Sequence, residues 1–174
     1  NMAAPSQKIR LSKINVLVVD DDKAISNLIV NVLRNLGFGN VQVAHSGEEG
    51  LRALRNNSYD LILTDWEMEP MSGIELTYKI RKMDAPKCFL PIVMLTGHSE
   101  KKEIEIARDS GITEYLIKPF TAKTLCSRII MVIESPRSFI VSKNYKGPSR
   151  RRRDVAPPDG IDRRKKKPTK KKNK

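Results

Sequence analysis

In VLVVDDD, residues 16–22, an unbroken apolar run ends in three aspartates. A run of this kind is typical of a strand that is covered on both faces, as in a parallel sheet. The following segment has helical spacing and stops at Gly37 and Gly39. Its predicted apolar face comprises Ile25, Leu28, Ile29, Val32, Leu33 and Leu36. A buried strand followed by an amphipathic helix is one βα unit of an α/β sheet.

Four more units of the same kind follow, up to residue 134. The apolar runs predict strands at 41–44, 61–63, 90–95 and 115–117. The intervening patterns predict a helix after Ser46, then helices at 73–83, from Ser99 to 109, and at 121–134. Asp22, Ser46 and Ser99 are predicted N-caps. Short connections and right-handed crossovers then give an open, doubly wound parallel sheet of five strands, with helices on both faces.

Polar side chains follow the predicted strands at Asp20, Asp21, Asp65, Thr96 and Lys118. Ligands of an open parallel sheet bind outside the carboxyl ends of its strands, so these groups could converge. Clustered carboxylates without His or Cys favour Mg²⁺. A lysine and a threonine suit a phosphate group, and a carboxylate can attack phosphorus to form an aspartyl phosphate.

Several classes of protein are excluded by composition. No apolar run approaches the roughly 20 residues of a membrane helix, and residues 1–13 lack the apolar core of a signal peptide. The two cysteines, Cys88 and Cys126, cannot build a disulfide framework and lack zinc-site spacing, which fits a reducing compartment. The glycines at 37–40 match neither a P-loop nor a dinucleotide fingerprint.

Four segments, taken together and in order, resemble the receiver domain of two-component response regulators, including the chemotaxis receivers. They are VLVVDDD at 16–22, LILTDWEMEPMSGIEL at 61–76, VMLTGHS at 93–99 and YLIKPF at 115–120. The resemblance covers residues 14–134 and implies a flavodoxin-like (βα)5 fold with strand order 2-1-3-4-5. It also implies a bacterial, cytoplasmic signalling switch rather than an enzyme, although a receiver assists its own phosphorylation and dephosphorylation.

The resemblance assigns roles to individual residues. Asp65 corresponds to the phosphoacceptor, which takes its phosphoryl group from a sensor histidine kinase or a phosphotransfer protein. Asp20, Asp21 and Asp65, with the backbone carbonyl of Glu67, correspond to the Mg²⁺ ligands. Lys118 corresponds to the lysine that contacts the phosphoryl group, and it precedes Pro119 in a cis peptide bond.

The resemblance also assigns a switch. Thr96 corresponds to the hydroxyl that follows the phosphoryl group, and Tyr115 to the aromatic residue that then rotates. An ordinary place in the core is the alternative for Tyr115. The switched surface would comprise residues 99–134 and would bind an unknown effector protein or a second copy of the chain. The chain departs from the family in Glu69-Pro70, where the proline is displaced by one position, and in Ser72, where an aspartate is common.

The remaining 40 residues form a basic tail. Residues 1–134 carry as many basic as acidic side chains, so the whole net charge of +13 lies in residues 135–174. Prolines and a weak G-x-x-R-R repeat at Gly147 and Gly160 replace the helical periodicity, and this composition predicts disorder from Ser135 onward. The segment contains no recognisable output domain.

Four functions remain open for this tail. It could bind nucleic acid, an anionic lipid surface or an acidic protein, or it could merely improve solubility. The sequence therefore predicts a phosphorylation-activated response regulator with no output domain. The alternative is an adaptor or nucleic-acid-binding protein that acts through the tail without phosphorylation.

Overall fold

Five βα units follow one another in the computed structural model, which describes residues 10–149. The units are β1 (Asn15–Val19) and α1 (Lys23–Asn35), β2 (Asn40–Ala44) and α2 (Gly47–Asn56), β3 (Leu61–Asp65) and α3 (Gly73–Arg81), β4 (Ile92–Thr96) and α4 (Lys101–Ser110), and β5 (Glu114–Ile117) and α5 (Ala122–Glu134). Single 3-10 turns at Leu11–Lys13 and Lys87–Phe89 precede β1 and β4, and two short strands, β6 (Phe139–Val141) and β7 (Lys146–Pro148), follow α5.

The five main strands form one parallel sheet in the order β2-β1-β3-β4-β5, as predicted. Every residue of β3 and β4 is buried, whereas burial alternates along the edge strand β2. Helices α1 and α5 cover one face of the sheet, and α2, α3 and α4 cover the other. The carboxyl ends of β1, β3, β4 and β5 therefore meet at one edge of the sheet, as the predicted site requires.

Most helix starts agree with the prediction. The Asp22 carboxylate accepts from the backbone N–H groups of the first turn of α1, and the Ser46 hydroxyl does the same for α2. The prediction for Ser99 is wrong, since α4 has Glu100 at its N-cap and no side-chain cap. The residues before α4 form a loop in which the His98 N–H donates to the Thr96 hydroxyl, so the helix begins later than the pattern suggested.

The apolar face of α1 is also narrower than predicted. The buried residues of α1 are Ser26, Ile29, Val30 and Leu33, whereas Leu28 is 56% exposed. A helix that packs on a sheet buries one stripe of side chains, and Leu28 lies on the opposite face of the helix. The i, i+3, i+4 pattern of the sequence included Leu28 because it cannot tell which of two overlapping apolar stripes faces the sheet.

The expectation of disorder from Ser135 onward is wrong for the first part of the tail. Strands β6 and β7 pair antiparallel, with Phe139 opposite Pro148 and Val141 opposite Lys146. The hairpin packs on the domain because the Phe139 ring lies 4.9 Å from that of Phe89, centroid to centroid. The weak repeat, whose second copy begins at Gly160, and the rest of the basic tail lie outside the described residues. None of the helices within residues 10–149 is long and apolar enough to cross a membrane.

Candidate functional site

Three carboxylates lie together at the carboxyl edge of the sheet. Asp20 and Asp21 follow β1, and Asp65 is the last residue of the neighbouring strand β3. One carboxylate oxygen from each residue lies within 4.8 Å of the others. Asp20 and Asp65 are buried, whereas Asp21 is exposed and leaves one side of the cluster open to solvent. The structure thus brings together the three carboxylates that the sequence proposed for a cation.

Asp65 is paired with a single cationic side chain. The Lys118 ammonium Nζ donates to Asp65 Oδ1 at 2.7 Å, from the loop that follows β5. Burial raises the pKa of the Asp65 carboxyl, while the Lys118 ammonium acts in the opposite direction. The lysine therefore favours the ionised form of this carboxylate, whereas burial alone would favour the protonated form.

Asp20 is the least satisfied acid of the cluster. It is fully buried, and its Oδ1 accepts the Asp22 backbone N–H at 2.9 Å, but its Oδ2 has no hydrogen-bond partner among residues 10–149. Burial is the largest cause that raises the pKa of Asp20, to about 6, and the negative charge of Asp65 raises it further. A buried carboxylate oxygen without a partner costs free energy, which a bound cation would recover.

The donor set fits Mg²⁺. All three side chains offer hard oxygen ligands, no His or Cys joins them, and the open side at Asp21 leaves room for water and phosphate oxygens. Glu67 follows Asp65 by two residues in the β3–α3 loop, and its side chain points to a different partner, His98. Its backbone carbonyl remains the predicted further ligand.

The predicted switch residues occupy neighbouring strands. Thr96 ends β4 and is 2% exposed, and its hydroxyl accepts the His98 backbone N–H at 2.8 Å. In the β4–β5 register Met94 pairs with Tyr115 and Thr96 with Ile117, so Thr96 and Tyr115 point to the same face of the sheet. Tyr115 is half-buried and packs at the border of the core under α2, α3 and α4. Thr96 and Tyr115 therefore lie on the same face of two neighbouring strands.

The peptide bond between Lys118 and Pro119 is cis, as predicted from the resemblance. Two further X-Pro bonds, Glu69-Pro70 and Ala85-Pro86, are also cis, and neither was predicted.

One set of side-chain contacts at the opening of the site, called the bridge below, was not predicted from the sequence. The His98 ring lies between two carboxylates, with Nε2 3.1 Å from Glu67 Oε1 and Nδ1 2.9 Å from Glu103 Oε1. The indole of Trp66 also packs on this ring, at 4.8 Å between centroids. The bridge connects the β3–α3 loop to the first turn of α4. It depends on where α4 packs, and no spacing in the sequence reports that position.

Comparison with known proteins agrees with this geometry. The family model described as response regulator receiver domain matches residues 16–130. Over 119 residues the chain is 37% identical to chemotaxis protein CheY-3 of Vibrio cholerae, which covers 68% of this chain and 91% of the relative. It is 36% identical to chemotaxis protein CheY of Pseudomonas aeruginosa, with 68% and 95% covered.

Solved structures give the same result. A two-component response regulator from Clostridium difficile superposes with a TM-score of 0.66 at 28% identity, covering 72% of this chain and all of the other. The receiver domain of the Francisella response regulator 1452 superposes with a TM-score of 0.63 at 32% identity, covering 69% and 96%. The similarity therefore extends from sequence to topology over about two thirds of the chain.

Proposed function

The chain belongs to the response regulator receiver domain family, and from that premise we propose that Asp65 is the residue that carries its phosphoryl group. The protein is a two-component response regulator. The observation that carries the proposal is the contact of 2.7 Å between Lys118 and Asp65, beside two further carboxylates, at the carboxyl edge of the sheet. A regulator that works only through its basic tail is not favoured, because such a protein would have no need of this cluster.

In the proposed reaction an oxygen of the ionised Asp65 carboxylate attacks the phosphorus of a phosphohistidine. The bond between that phosphorus and the histidine nitrogen breaks as the aspartyl phosphate forms. Lys118, which already contacts the acceptor carboxylate, neutralises charge on the transferred group. The partners are a sensor histidine kinase or a phosphotransfer protein as donor, and an effector protein downstream.

Mg²⁺ would be held by Asp20, Asp21 and Asp65, with the backbone carbonyl of Glu67. It would supply positive charge for the phosphoryl oxygens, which three clustered carboxylates would otherwise repel. The partnerless Oδ2 of Asp20 supports this assignment, since a cation is the partner that a buried carboxylate oxygen requires.

Phosphorylation adds about −1.5 to −2 charges and strong acceptor oxygens. The Thr96 hydroxyl would move toward those oxygens, and the Tyr115 ring would fill the space that it leaves. That movement would bias the surface of residues 99–134, which then contacts an effector or a second copy of the chain. The chain thus acts as a signalling switch that assists its own phosphorylation and dephosphorylation. We place it in a reducing cytoplasm, in keeping with its two free cysteines.

The test is intact-mass spectrometry of the full chain after incubation with a small-molecule phosphodonor. We expect one added phosphoryl group on the wild type with Mg²⁺, and none after chelation with EDTA or in Asp65→Asn. Asp84→Asn is the matched control, because Asp84 is an exposed acid outside the cluster, and it should be phosphorylated like the wild type.

Two outcomes would overturn the assignment. An adduct that persists in Asp65→Asn would mean that another residue is the acceptor. If no adduct forms, beryllofluoride, a stable mimic of the phosphoryl group, separates rapid hydrolysis from an inactive site. A folded wild type that also fails to bind beryllofluoride with Mg²⁺ would contradict the proposed function.

A further inference from the structure

A cavity lies at the opposite, amino edge of the sheet, where α3 and α4 end and the β6–β7 hairpin covers them. Its volume is about 400 Å³. Half of its wall comes from the last turns of α3 and α4 and the other half from residues 142–146, which form the hairpin turn and the start of β7. The receiver chemistry described above uses none of these residues. The lining residues are Tyr78, Arg81, Lys82, Asp109, Ser110, Ser142, Lys143, Asn144, Tyr145 and Lys146.

The floor of the cavity contains a buried guanidinium. Arg81 is 3% exposed, and its Nε donates to the Gly111 carbonyl at 2.8 Å. Its Nη1 donates to the carbonyls of Cys88 and Leu90, at 3.0 and 2.7 Å, and the ring of Phe139 lies 5.1 Å from its Cζ. Its Nη2 has no hydrogen-bond partner within the described part of the chain. Arg81 thus has part of its hydrogen-bonding capacity unused.

Its positive charge is also uncompensated. None of the ion pairs within residues 10–149 includes Arg81, and the contacts described above are with uncharged groups, three backbone carbonyls and the ring of Phe139. A buried charge without a counter-ion is costly, and burial accordingly lowers the pKa of Arg81, to about 10. A counter-ion would make this part of the structure more stable.

The wall of the cavity has the same sign of charge. Lys82 and Lys143 are exposed at its rim and Lys146 is half-buried, while Asp109 is the only acid in the lining. A concave surface lined by charges of one sign concentrates the field and attracts a ligand of the opposite sign. Arginine and lysine together suit phosphate, which offers several acceptor oxygens and up to two negative charges.

We propose that this cavity binds a small phosphorylated molecule, a phosphate ester held by Lys82, Lys143 and Lys146 above the uncompensated charge of Arg81. The size of the cavity supports an ester over free phosphate, because about 400 Å³ lies in the range of small-molecule pockets and exceeds one phosphate ion several-fold. Tyr78, an aromatic residue that is 44% exposed, lines the same cavity and can pack against the organic part.

Binding here would connect the hairpin to the domain. The ligand would contact α3 through Lys82 and the hairpin through Lys143 and Lys146, so it would hold the two together. The cavity lies at the edge of the sheet away from Asp65, so ligand binding and phosphorylation would not compete for the same groups. This inference does not depend on the proposed phosphorylation chemistry.

The test is an NMR titration of the uniformly ¹⁵N-labelled full chain with adenosine 5′-monophosphate, inorganic phosphate and adenosine. We expect saturable amide shifts at residues 78–82, 109–111 and 142–146, tighter binding of the ester than of inorganic phosphate, and no binding of adenosine. The double variant Lys82→Glu and Lys143→Glu should weaken binding of the ester at least tenfold. The control, Lys79→Glu and Lys102→Glu, makes the same change of charge at exposed positions outside the cavity and should weaken it less than twofold.

Several results would overturn the proposal. Shifts confined to residues 150–174 would show that the basic tail alone attracts the phosphate. Equal weakening in the two double variants would show general electrostatic attraction without a site. Equal affinity for inorganic phosphate would refute the assignment to an ester, and absence of saturable shifts would leave a structural role alone for Arg81.

Discussion

The two edges of the central sheet differ in the partners that they provide for buried charged side chains. At the carboxyl edge, Lys118 pairs with Asp65, whereas Asp20 Oδ2 has no partner among residues 10–149. At the amino edge, Arg81 donates to three backbone carbonyls and packs against Phe139. The carboxylates at the carboxyl edge therefore repel one another, and a bound ligand must relieve this repulsion. The amino edge uses its charge mainly to join segments of the chain.

This difference separates charged residues that serve ligand binding from charged residues that stabilise the fold. A cluster of like charges lowers stability in the absence of a ligand and so is retained where a ligand is bound. A guanidinium that satisfies three carbonyls contributes to stability even without a ligand, because removing it would leave those carbonyls unpaired. Substitutions at the two edges should accordingly change stability in opposite directions.

The largest effect is expected at the amino edge. Arg81→Ala should lower the free energy of unfolding by about 3 kcal/mol, because it leaves the carbonyls of Gly111, Cys88 and Leu90 without a donor. Urea denaturation followed by circular dichroism measures this change. Arg108→Ala, at an exposed position in the last turn of α4, is the control and should cost less than about 0.5 kcal/mol. Equal losses in the two variants would mean that the buried hydrogen bonds contribute nothing.

The next effect is a dependence on pH at the carboxyl edge. The pKa of Asp20 is raised from 3.8 to about 6, so between these values the folded protein binds more protons than the unfolded chain. The free energy of unfolding without Mg²⁺ should therefore fall as pH rises through this window, by about 2 kcal/mol, and the raised pKa of Asp65 acts in the same direction.

Urea denaturation from pH 4 to pH 7 in EDTA measures this decrease. Asp20→Asn removes the titrating group, so its decrease should be clearly smaller than that of the wild type. Saturating Mg²⁺ should reverse the trend in the wild type above pH 6, because the metal binds the ionised carboxylates. Identical pH profiles for the two proteins without metal would contradict the electrostatic account of this edge.

The smallest effect concerns the hairpin at the amino edge. Phe139→Ala should cost about 1.5 kcal/mol, less than a core phenylalanine, because the ring is only half-buried between Phe89 and Arg81. Val141→Ala on the same strand should cost under about 0.5 kcal/mol, since Val141 is 64% exposed. Chemical denaturation of both variants gives the comparison. If Phe139→Ala were as mild as Val141→Ala, the hairpin would not be part of the stable fold.

The sequence predicted the five βα units because each is encoded locally. Apolar runs identify strands that are buried on both faces, and the N-caps Asp22 and Ser46 mark where α1 and α2 begin. The prediction failed at Leu28 and at Ser99, where a pattern of residue types was compatible with more than one packing arrangement. The hairpin at 139–148 was missed because its prolines and basic residues suggest disorder, while its stability comes from contacts with distant residues.

The candidate site was predictable for a similar reason. Asp65 and Thr96 end a strand and Asp20 and Lys118 directly follow one, and parallel strands place their carboxyl ends at one edge of the sheet. The bridge from Glu67 through His98 to Glu103 could not be predicted in this way. It depends on the position of the first turn of α4, which the packing of the helix against the sheet determines.

The order of strands and helices, and the acids that meet at the carboxyl edge, could thus be predicted from the amino-acid sequence. Both can be recognised within short segments, because they depend on hydrophobic periodicity and on the residues at strand ends. The packing of the folded chain determines that Asp20 Oδ2 lacks a partner, and that Arg81 is buried beneath a hairpin with no counter-ion, among residues 10–149. The physical reason is that desolvation and charge pairing depend on every group that packs nearby, and those groups come from distant parts of the chain.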